Sequence, residues 1–215
     1  MIFKNNERIV FAGDSVTDMG SEQSVAEGNG LGFGYVRYID SFLGAYYPEI
    51  NLRVTNSGVS GNNSRELLKR YDSDVVSLNA DWVCICIGIN DVWRQFDMPY
   101  MTDWAVGVNE YEQNVEKMIL SVKDDVKGVF VATPYYIEPN TDDLMRKRMN
   151  EYGRICKKLA EKYDCRFVDF QKVFDEYCRF QHSSRIAWDR VHPNQIGSLL
   201  MAREFLKQCE FEFNR

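Results

Sequence analysis

The stretch DWVCICIGI, residues 81–89, is the most continuous apolar run in the chain. A run of this kind predicts a central strand that is covered on both faces. Other apolar runs, each bounded by turn residues, are typical of further strands. They are RIVFAG (8–13), NLRVTN (51–56), GVFVATP (128–134) and CRFVDF (165–170).

Longer amphipathic segments separate the predicted strands. The predicted helices cover residues 34–48, 63–76, 108–124, 142–163 and 193–209. Asn63 and Glu66 have the spacing of a capping box, and Asn194 is placed to cap the last helix. Strands that alternate with helices of this length predict right-handed βαβ units. The expected fold is α/β, a three-layer α/β/α sandwich with a central five-stranded parallel sheet.

Length and composition exclude several classes of protein. The 215 residues, of which 45% are hydrophobic and 27% charged, predict one globular domain over residues 1–215. The net charge of -6 disfavours a nucleic-acid partner. No apolar run approaches the roughly 18 residues that span a bilayer, and the N-terminus does not have the pattern of a secretory signal, so a cytoplasmic protein is expected.

The cysteines and histidines favour no metal site. Six cysteines without a C-x-x-C pair are expected to be free thiols in a reducing compartment. The only two histidines are His182 and His192, and His182 is interpreted as a surface or packing residue.

The predicted strand ends carry most of the chemically interesting residues. In parallel sheets, ligands bind outside the carboxyl ends of the strands. Ser15, in Gly13-Asp14-Ser15, follows the first strand, where a hydroxyl and backbone N–H groups can face the crevice. A helix cap is the alternative for Ser15. Asp14 is interpreted as holding the turn, because a carboxylate beside an oxyanion would oppose its charge.

Three further segments complete a possible reactive set. Gly58 ends the second strand, where glycine lets a backbone come close to a ligand. Asn90 follows the central strand and can project its amide over the strand end. Asp189 and His192 are three residues apart before a helix, a spacing at which the carboxylate can orient the imidazole. Each segment alone fits an ordinary turn, but together they predict acyl transfer by a serine nucleophile.

The order of these blocks, Gly-Asp-Ser, Asn-x-Gly, Gly-x-Asn-Asp and Asp-x-x-His, resembles the SGNH subgroup of the GDSL esterases and acylhydrolases. Residues 82–100 and 187–206 look like the intracellular bacterial acetyl xylo-oligosaccharide esterases. The resemblance implies a flavodoxin-like fold, an acetylated saccharide as substrate, no cofactor, and a homo-oligomer. It also implies roles for five residues: Ser15 as nucleophile, His192 as base, Asp189 as its partner, and Ser15, Gly58 and Asn90 as the oxyanion hole.

Substrate contacts are harder to predict. Aromatic residues near the strand ends can stack on sugar rings, although packing of loops is the alternative. Trp93, Tyr136 and Trp188 are the candidates for lining the crevice, and Asp14 is counted with them as a substrate-binding residue. Two other functions stay open. A lysophospholipase or thioesterase would need an apolar groove, and a non-catalytic carbohydrate-binding module would carry a broken triad.

Overall fold

The central apolar run lies in the middle of the sheet. The computed structural model describes residues 1–214. Its six strands are β1 (Arg8–Gly13), β2 (Ala26–Glu27), β3 (Arg53–Gly58), β4 (Trp82–Cys86), β5 (Gly128–Ala132) and β6 (Arg166–Val168). Their order across the sheet is β2-β3-β1-β4-β5-β6. All five residues of β4 are buried, which agrees with a strand covered on both faces.

Eight helices cover the sheet. They are α1 (Ser15–Asp18), α2 (Tyr35–Tyr46), α3 (Ser64–Asp74), α4 (Ile89–Asp97), α5 (Val108–Leu120), α6 (Leu144–Lys162), α7 (Phe170–Cys178) and α8 (Gln195–Lys207). α2, α8 and α7 pack side by side, and α3, α5, α6 and α4 form a second contiguous group. The three-layer α/β/α architecture is therefore confirmed.

The predicted sheet is confirmed except for one strand. β1, β3, β4, β5 and β6 are parallel, but the two-residue β2 pairs antiparallel with β3, so the sheet has six strands rather than five. A strand this short has no periodicity to detect. Side-chain contacts hold it, because Glu27 accepts a hydrogen bond of 2.7 Å from the Thr55 hydroxyl and pairs with Arg53 at 3.1 Å.

The end of the central run was predicted wrongly. The strand was expected to extend over 81–89, but β4 ends at Cys86 and α4 begins at Ile89. Gly88 has a φ of +129°, a conformation that only glycine adopts readily, and it breaks the strand. The apolar residues of 87–89 therefore belong to the turn and to the first turn of a helix that the sequence analysis did not include.

The predicted caps are confirmed. The Asn63 side chain accepts from the Glu66 N–H at 3.0 Å, and the Glu66 carboxylate accepts from the Asn63 N–H at 3.0 Å. Asn194 accepts from two N–H groups at the start of α8. All six cysteines are free, with Cys165 and Cys178 partly exposed and the other four buried. Within residues 1–214, no helix has both the length and the apolar character needed to cross a bilayer.

Two glycines let α1 lie directly against the strand ends. A Cβ on Gly13 would be 2.2 Å from the Thr17 hydroxyl oxygen, and one on Gly58 would be 2.2 Å from the Asp18 nitrogen. No side chain fits at these distances. The close approach of α1 is thus one physical reason for a glycine at position 58, and the approach of a ligand remains a prediction.

This contact predicts opposite effects for two glycine-to-alanine changes. Gly58→Ala should lower the free energy of unfolding by about 1–3 kcal/mol, because the new methyl group overlaps backbone atoms of α1. Gly44→Ala, at an exposed position within α2 where a Cβ meets nothing within 4 Å, should raise it by about 1 kcal/mol through helix propensity. Urea unfolding of both variants measures the difference, and equal effects would contradict the close approach.

Candidate active site

Ser15 lies at the first position of α1, one residue beyond an acidic cap. The Asp14 carboxylate accepts a hydrogen bond of 2.9 Å from the Val16 N–H and is only 2% exposed. The first N–H groups of a helix have no partner within the helix, so the Ser15 N–H is available to an anion. The Ser15 Oγ lies 2.9 Å from the Nε2 of His192.

His192 is oriented by Asp189, as the three-residue spacing predicted. The Nδ1 of the imidazole is 2.5 Å from Asp189 Oδ2. The other carboxylate oxygen accepts from the backbone N–H groups of His192 and Val191 at 2.8 and 2.9 Å. Because the carboxylate accepts a hydrogen bond from Nδ1–H, Nε2 of the neutral ring is left as an acceptor facing Ser15.

Hydrogen bonds stabilise the negative charge of Asp189 beside the His192 imidazole. Partial burial opposes ionisation, but the hydrogen bonds from the His192 side chain and from the two backbone N–H groups outweigh it and lower the pKa of Asp189. A carboxylate that remains ionised can stabilise an imidazolium as it forms.

The loop that carries this pair is fixed to the segment after β5. The Tyr135 hydroxyl donates to the Val191 carbonyl at 3.0 Å, and the Ile137 N–H donates to the Arg190 carbonyl at 2.9 Å. Arg190 also pairs with Glu138 at 2.5 Å and has a φ of +66°, which non-glycine residues rarely adopt. The loop therefore turns sharply at Arg190, which lies between Asp189 and His192.

Asn90, in the first turn of α4, is fixed at both ends of its amide. Its Nδ2 donates to the Asn62 carbonyl at 2.9 Å, and its Oδ1 accepts from Arg94 at 3.3 Å. The Nδ2 carries two hydrogens, so one is left for another acceptor.

Gly58 has a different arrangement from the one expected. Its N–H donates to the Asn56 side chain at 2.9 Å, so an oxyanion would have to share this hydrogen with Asn56. The strand end itself lies beside the nucleophile turn, because Gly58 and Gly13 are partners in the parallel register of β3 and β1.

Arg70, on α3, is a structural member of the site that the sequence analysis missed. Its guanidinium donates to the Gly13 and Ser57 carbonyls, both at 3.0 Å, and to the Asn62 side chain at 2.7 Å. It thus ties the ends of β1 and β3 to the loop that holds Asn90. An arginine with Asp74 four residues later is typical of a surface ion pair, so no sequence signal distinguishes it.

Comparison with known proteins agrees with this geometry. The sequence model of the GDSL-like lipase/acylhydrolase family matches residues 11–200. The chain belongs to this family. It is accordingly a carboxylic ester hydrolase.

Two relatives resemble the chain over nearly its whole length. The acetylxylan esterase of Geobacillus stearothermophilus is 45% identical over 213 residues, which are 98% of this chain and 97% of the relative. Its crystal structure superposes with a TM-score of 0.98 at 44% identity, covering 100% of this chain and 99% of the other. Solved structures of that enzyme include catalytic mutants in which a serine, an aspartate or a histidine is replaced by alanine.

The second relative is an alpha/beta hydrolase enzyme from the metagenome of Lake Arreo, Spain. Its structure has a TM-score of 0.95 at 42% identity, and 98% of each chain is covered. Both similarities extend beyond the Gly-Asp-Ser block to the whole fold of this GDSL-family chain.

Two of the predicted crevice residues lie beside the imidazole of this GDSL-family site. The Trp188 ring is 6.5 Å from the His192 ring at an interplanar angle of 15°, and Trp188 is 84% exposed. The Trp93 ring lies 6.0 Å from His192. Tyr136 is half-buried, and both its backbone groups bond the Gln171 side chain, so its backbone is fixed to α7.

The remaining polar candidates have structural contacts. Asp14 is too buried to present much surface to a substrate, and it caps α1 as the turn-holding interpretation requires. His182 is exposed and accepts from the Ser184 N–H at the start of a short turn of helix. In residues 1–214, no three His, Cys, Asp or Glu side chains come close enough to hold a metal ion.

Two buried carboxyls flank the site. Asp91 is fully buried and accepts from the Ser64 N–H at 3.0 Å. Burial raises the pKa of Asp91 to about 7. Burial also raises the pKa of Asp14 to about 7, with a further contribution from the charge of Asp91. Hydrogen bonds from backbone N–H groups favour the ionised forms but do not outweigh the burial.

These pKa values predict how stability changes with pH. The ordinary pKa of both carboxyls is 3.8, so between about pH 4 and 7 these two groups bind more protons in the folded chain than in the unfolded chain. Their contribution to the free energy of unfolding should therefore fall as the pH rises through this window. Asp91→Asn should make that fall shallower, because asparagine does not titrate, while Asp72→Asn, at an exposed aspartate of α3, should not. Urea titrations from pH 4 to 7.5 test this, and an unchanged slope in Asp91→Asn would contradict it.

Proposed function

We propose that this chain is a serine esterase that removes acetyl groups from xylo-oligosaccharides or a similar carbohydrate. The observation that carries the proposal is the continuous hydrogen-bonded series of Ser15, His192 and Asp189. The similarity of the full chain to an acetylxylan esterase supports acetyl as the acyl group and a xylan-type sugar as its carrier.

In the first half of the reaction, Ser15 Oγ attacks the carbonyl carbon of the ester and its proton passes to Nε2 of His192. The tetrahedral intermediate collapses as the carbon–oxygen bond to the sugar breaks. His192 returns the proton to the sugar oxygen, which leaves as an alcohol, and the acetyl group stays on Ser15. Asp189 keeps the imidazole in one tautomer and stabilises its protonated form.

In the second half, water attacks the acetyl-enzyme and His192 accepts its proton. Collapse of the second intermediate breaks the bond to Ser15 Oγ, which takes back the proton from His192, and releases acetic acid, which ionises to acetate. The ester and one water are consumed, and none of these steps uses a cofactor.

The oxyanion of both intermediates is assigned to three donors of unequal availability. The Ser15 N–H begins α1, and the second hydrogen of the Asn90 amide is left over from its bond to Asn62. The Gly58 N–H would contribute only by sharing with Asn56. Asn90 is the one side chain among these three donors, so its replacement should remove a hydrogen bond to the oxyanion directly.

The likeness to an acetylxylan esterase favours a small acyl group over a long one. Long-chain hydrolysis needs an apolar groove at the nucleophile. One apolar groove of the described residues lies between α2 and α8, and its lining residues, which include Phe42 and Leu199, do not include any member of the triad. The intact triad also disfavours a non-catalytic carbohydrate-binding module. The homo-oligomer, the cytoplasmic location and the single domain remain predictions.

The length of the acyl chain tests the reaction. Hydrolysis of 4-nitrophenyl esters should be fastest for acetate and should fall steeply for butyrate and octanoate. Ser15→Ala should lose the activity in every case while keeping the thermal unfolding midpoint of the wild type. A Ser15-dependent rate that holds or rises with octanoate would favour a lipid or thioester hydrolase.

Asn90 should act on the transition state rather than on binding. Asn90→Ala removes a donor to the oxyanion, so kcat should fall by about 10²–10³-fold with KM little changed. Asn109→Ala, at an exposed position in the first turn of α5, is the matched control and should keep full activity. A loss expressed in KM alone would assign Asn90 to substrate binding.

A further inference from the structure

A cavity of about 440 Å³ opens beside the oxyanion amide, and the reaction described above leaves it unused. Its volume lies within the range of about 300–1,000 Å³ that is usual for small-molecule sites. Two of its lining residues, Asn62 and Arg94, are the residues that hold the two ends of the Asn90 amide. The cavity therefore adjoins the two residues that fix the orientation of the Asn90 amide.

One wall of the cavity is an aromatic residue on a fixed segment. Trp104 lines the cavity and is 48% exposed. Its backbone carbonyl accepts from the Asn63 side chain at 3.2 Å, and the preceding carbonyl, of Asp103, accepts from Arg65 at 2.7 Å. Arg65 is held in turn by an ion pair of 2.6 Å with Glu110. The segment is thus fastened to the start of α3 before any ligand arrives, which reduces the entropy that binding would cost.

The charges around the cavity favour a neutral polar ligand. The lining has three basic side chains, Arg65, Lys69 and Arg94, and two acidic ones, Glu66 and Asp103. Arg65 and Arg94 are already paired with carboxylates, so little positive charge is left for a phosphate or an acidic sugar. A lining with both donors and acceptors suits hydroxyl groups, which both donate and accept.

We propose that this cavity is a subsite for the sugar units that adjoin the acetylated one, with Trp104 as the platform for a pentose ring. The ligand class is a neutral oligosaccharide of the xylan type. This inference rests on the proposed function for the identity of the sugar, and it makes Trp104 a residue that determines the preferred chain length. A flat apolar sugar face packs on an aromatic ring, while the hydroxyls at its edge reach the polar lining.

Binding and hydrolysis test the subsite separately. Isothermal titration calorimetry with unacetylated xylotetraose uses no ester, so it does not depend on the reaction. The wild type should bind xylotetraose more tightly than xylose, and Trp104→Ala should weaken xylotetraose binding about tenfold. Trp104→Tyr keeps an aromatic face and should retain most of the affinity. Tyr100→Ala removes an 80% exposed aromatic residue that does not line the cavity, so it should bind as the wild type does.

The kinetic comparison uses acetylated xylose, acetylated xylotetraose and 4-nitrophenyl acetate. Trp104→Ala should lower kcat/KM about tenfold for acetylated xylotetraose and leave the other two esters unchanged. Equal losses on all three esters, or wild-type affinity for xylotetraose in Trp104→Ala, would overturn the subsite. Tighter binding of tetragalacturonate than of xylotetraose would overturn its neutral character.

The two proposals fail in different ways. If acetylated xylose is hydrolysed with Ser15 dependence but chain length has no effect, the subsite is wrong and the proposed function stands. If no acetylated xylose is hydrolysed but xylotetraose binds through Trp104, the proposed reaction is wrong and the subsite stands.

Discussion

The site depends on the direct contact between a short helix and the ends of two strands. α1 can lie on β1 and β3 only because Gly13 and Gly58 have no side chains, and the atoms that would clash belong mostly to α1 itself. This contact puts Ser15 immediately above the carboxyl edge of the sheet, with the free N–H end of a helix beside its hydroxyl. Any larger residue at either position would lift α1, and the Ser15 Oγ would move with it, away from its 2.9 Å contact with His192. The absence of side chains at these two glycines therefore sets the position of the nucleophile.

The other half of the site is built on different supports. Asp189 and His192 lie on a loop that is held by Tyr135 and Ile137, from the segment after β5. Asn90 is held by contacts to the loop after β3 and to its own helix. The nucleophile, the base and the amide donor thus come from three segments, and Arg70 links the strand ends below the nucleophile to the loop that holds the amide donor. Hydrogen bonds that fix each segment hold the groups in place before the substrate binds, which is the preorganisation that electrostatic catalysis requires.

Sequence patterns could predict the parallel strands, the order of layers and the pairing of Asp189 with His192. These depend on periodicity and on local spacing, which a single chain displays. Three kinds of feature could not be predicted. β2 is too short to show a hydrophobic period, and the start of α4 could not be distinguished from the strand because the apolar run continues past Gly88. Arg70 acts through contacts with residues distant in the sequence, which no local pattern indicates. The partner of the Gly58 N–H belongs to the last kind, since Asn56 is close in sequence but its side-chain direction is set by the fold.

The pKa values of two aspartates of the site, Asp189 and Asp14, are shifted in opposite directions because their surroundings differ. Hydrogen bonds to Asp189 keep it ionised next to the imidazole, where negative charge stabilises the proton that His192 takes from Ser15. Burial raises the pKa of Asp14 to about 7, and a protonated carboxyl still has an oxygen that can accept from the Val16 N–H. The cap of α1 therefore does not require a charge, and a neutral Asp14 does not oppose the oxyanion that forms one residue away. The opposite pKa shifts of the two carboxyls thus favour negative charge beside the imidazole over negative charge beside the oxyanion.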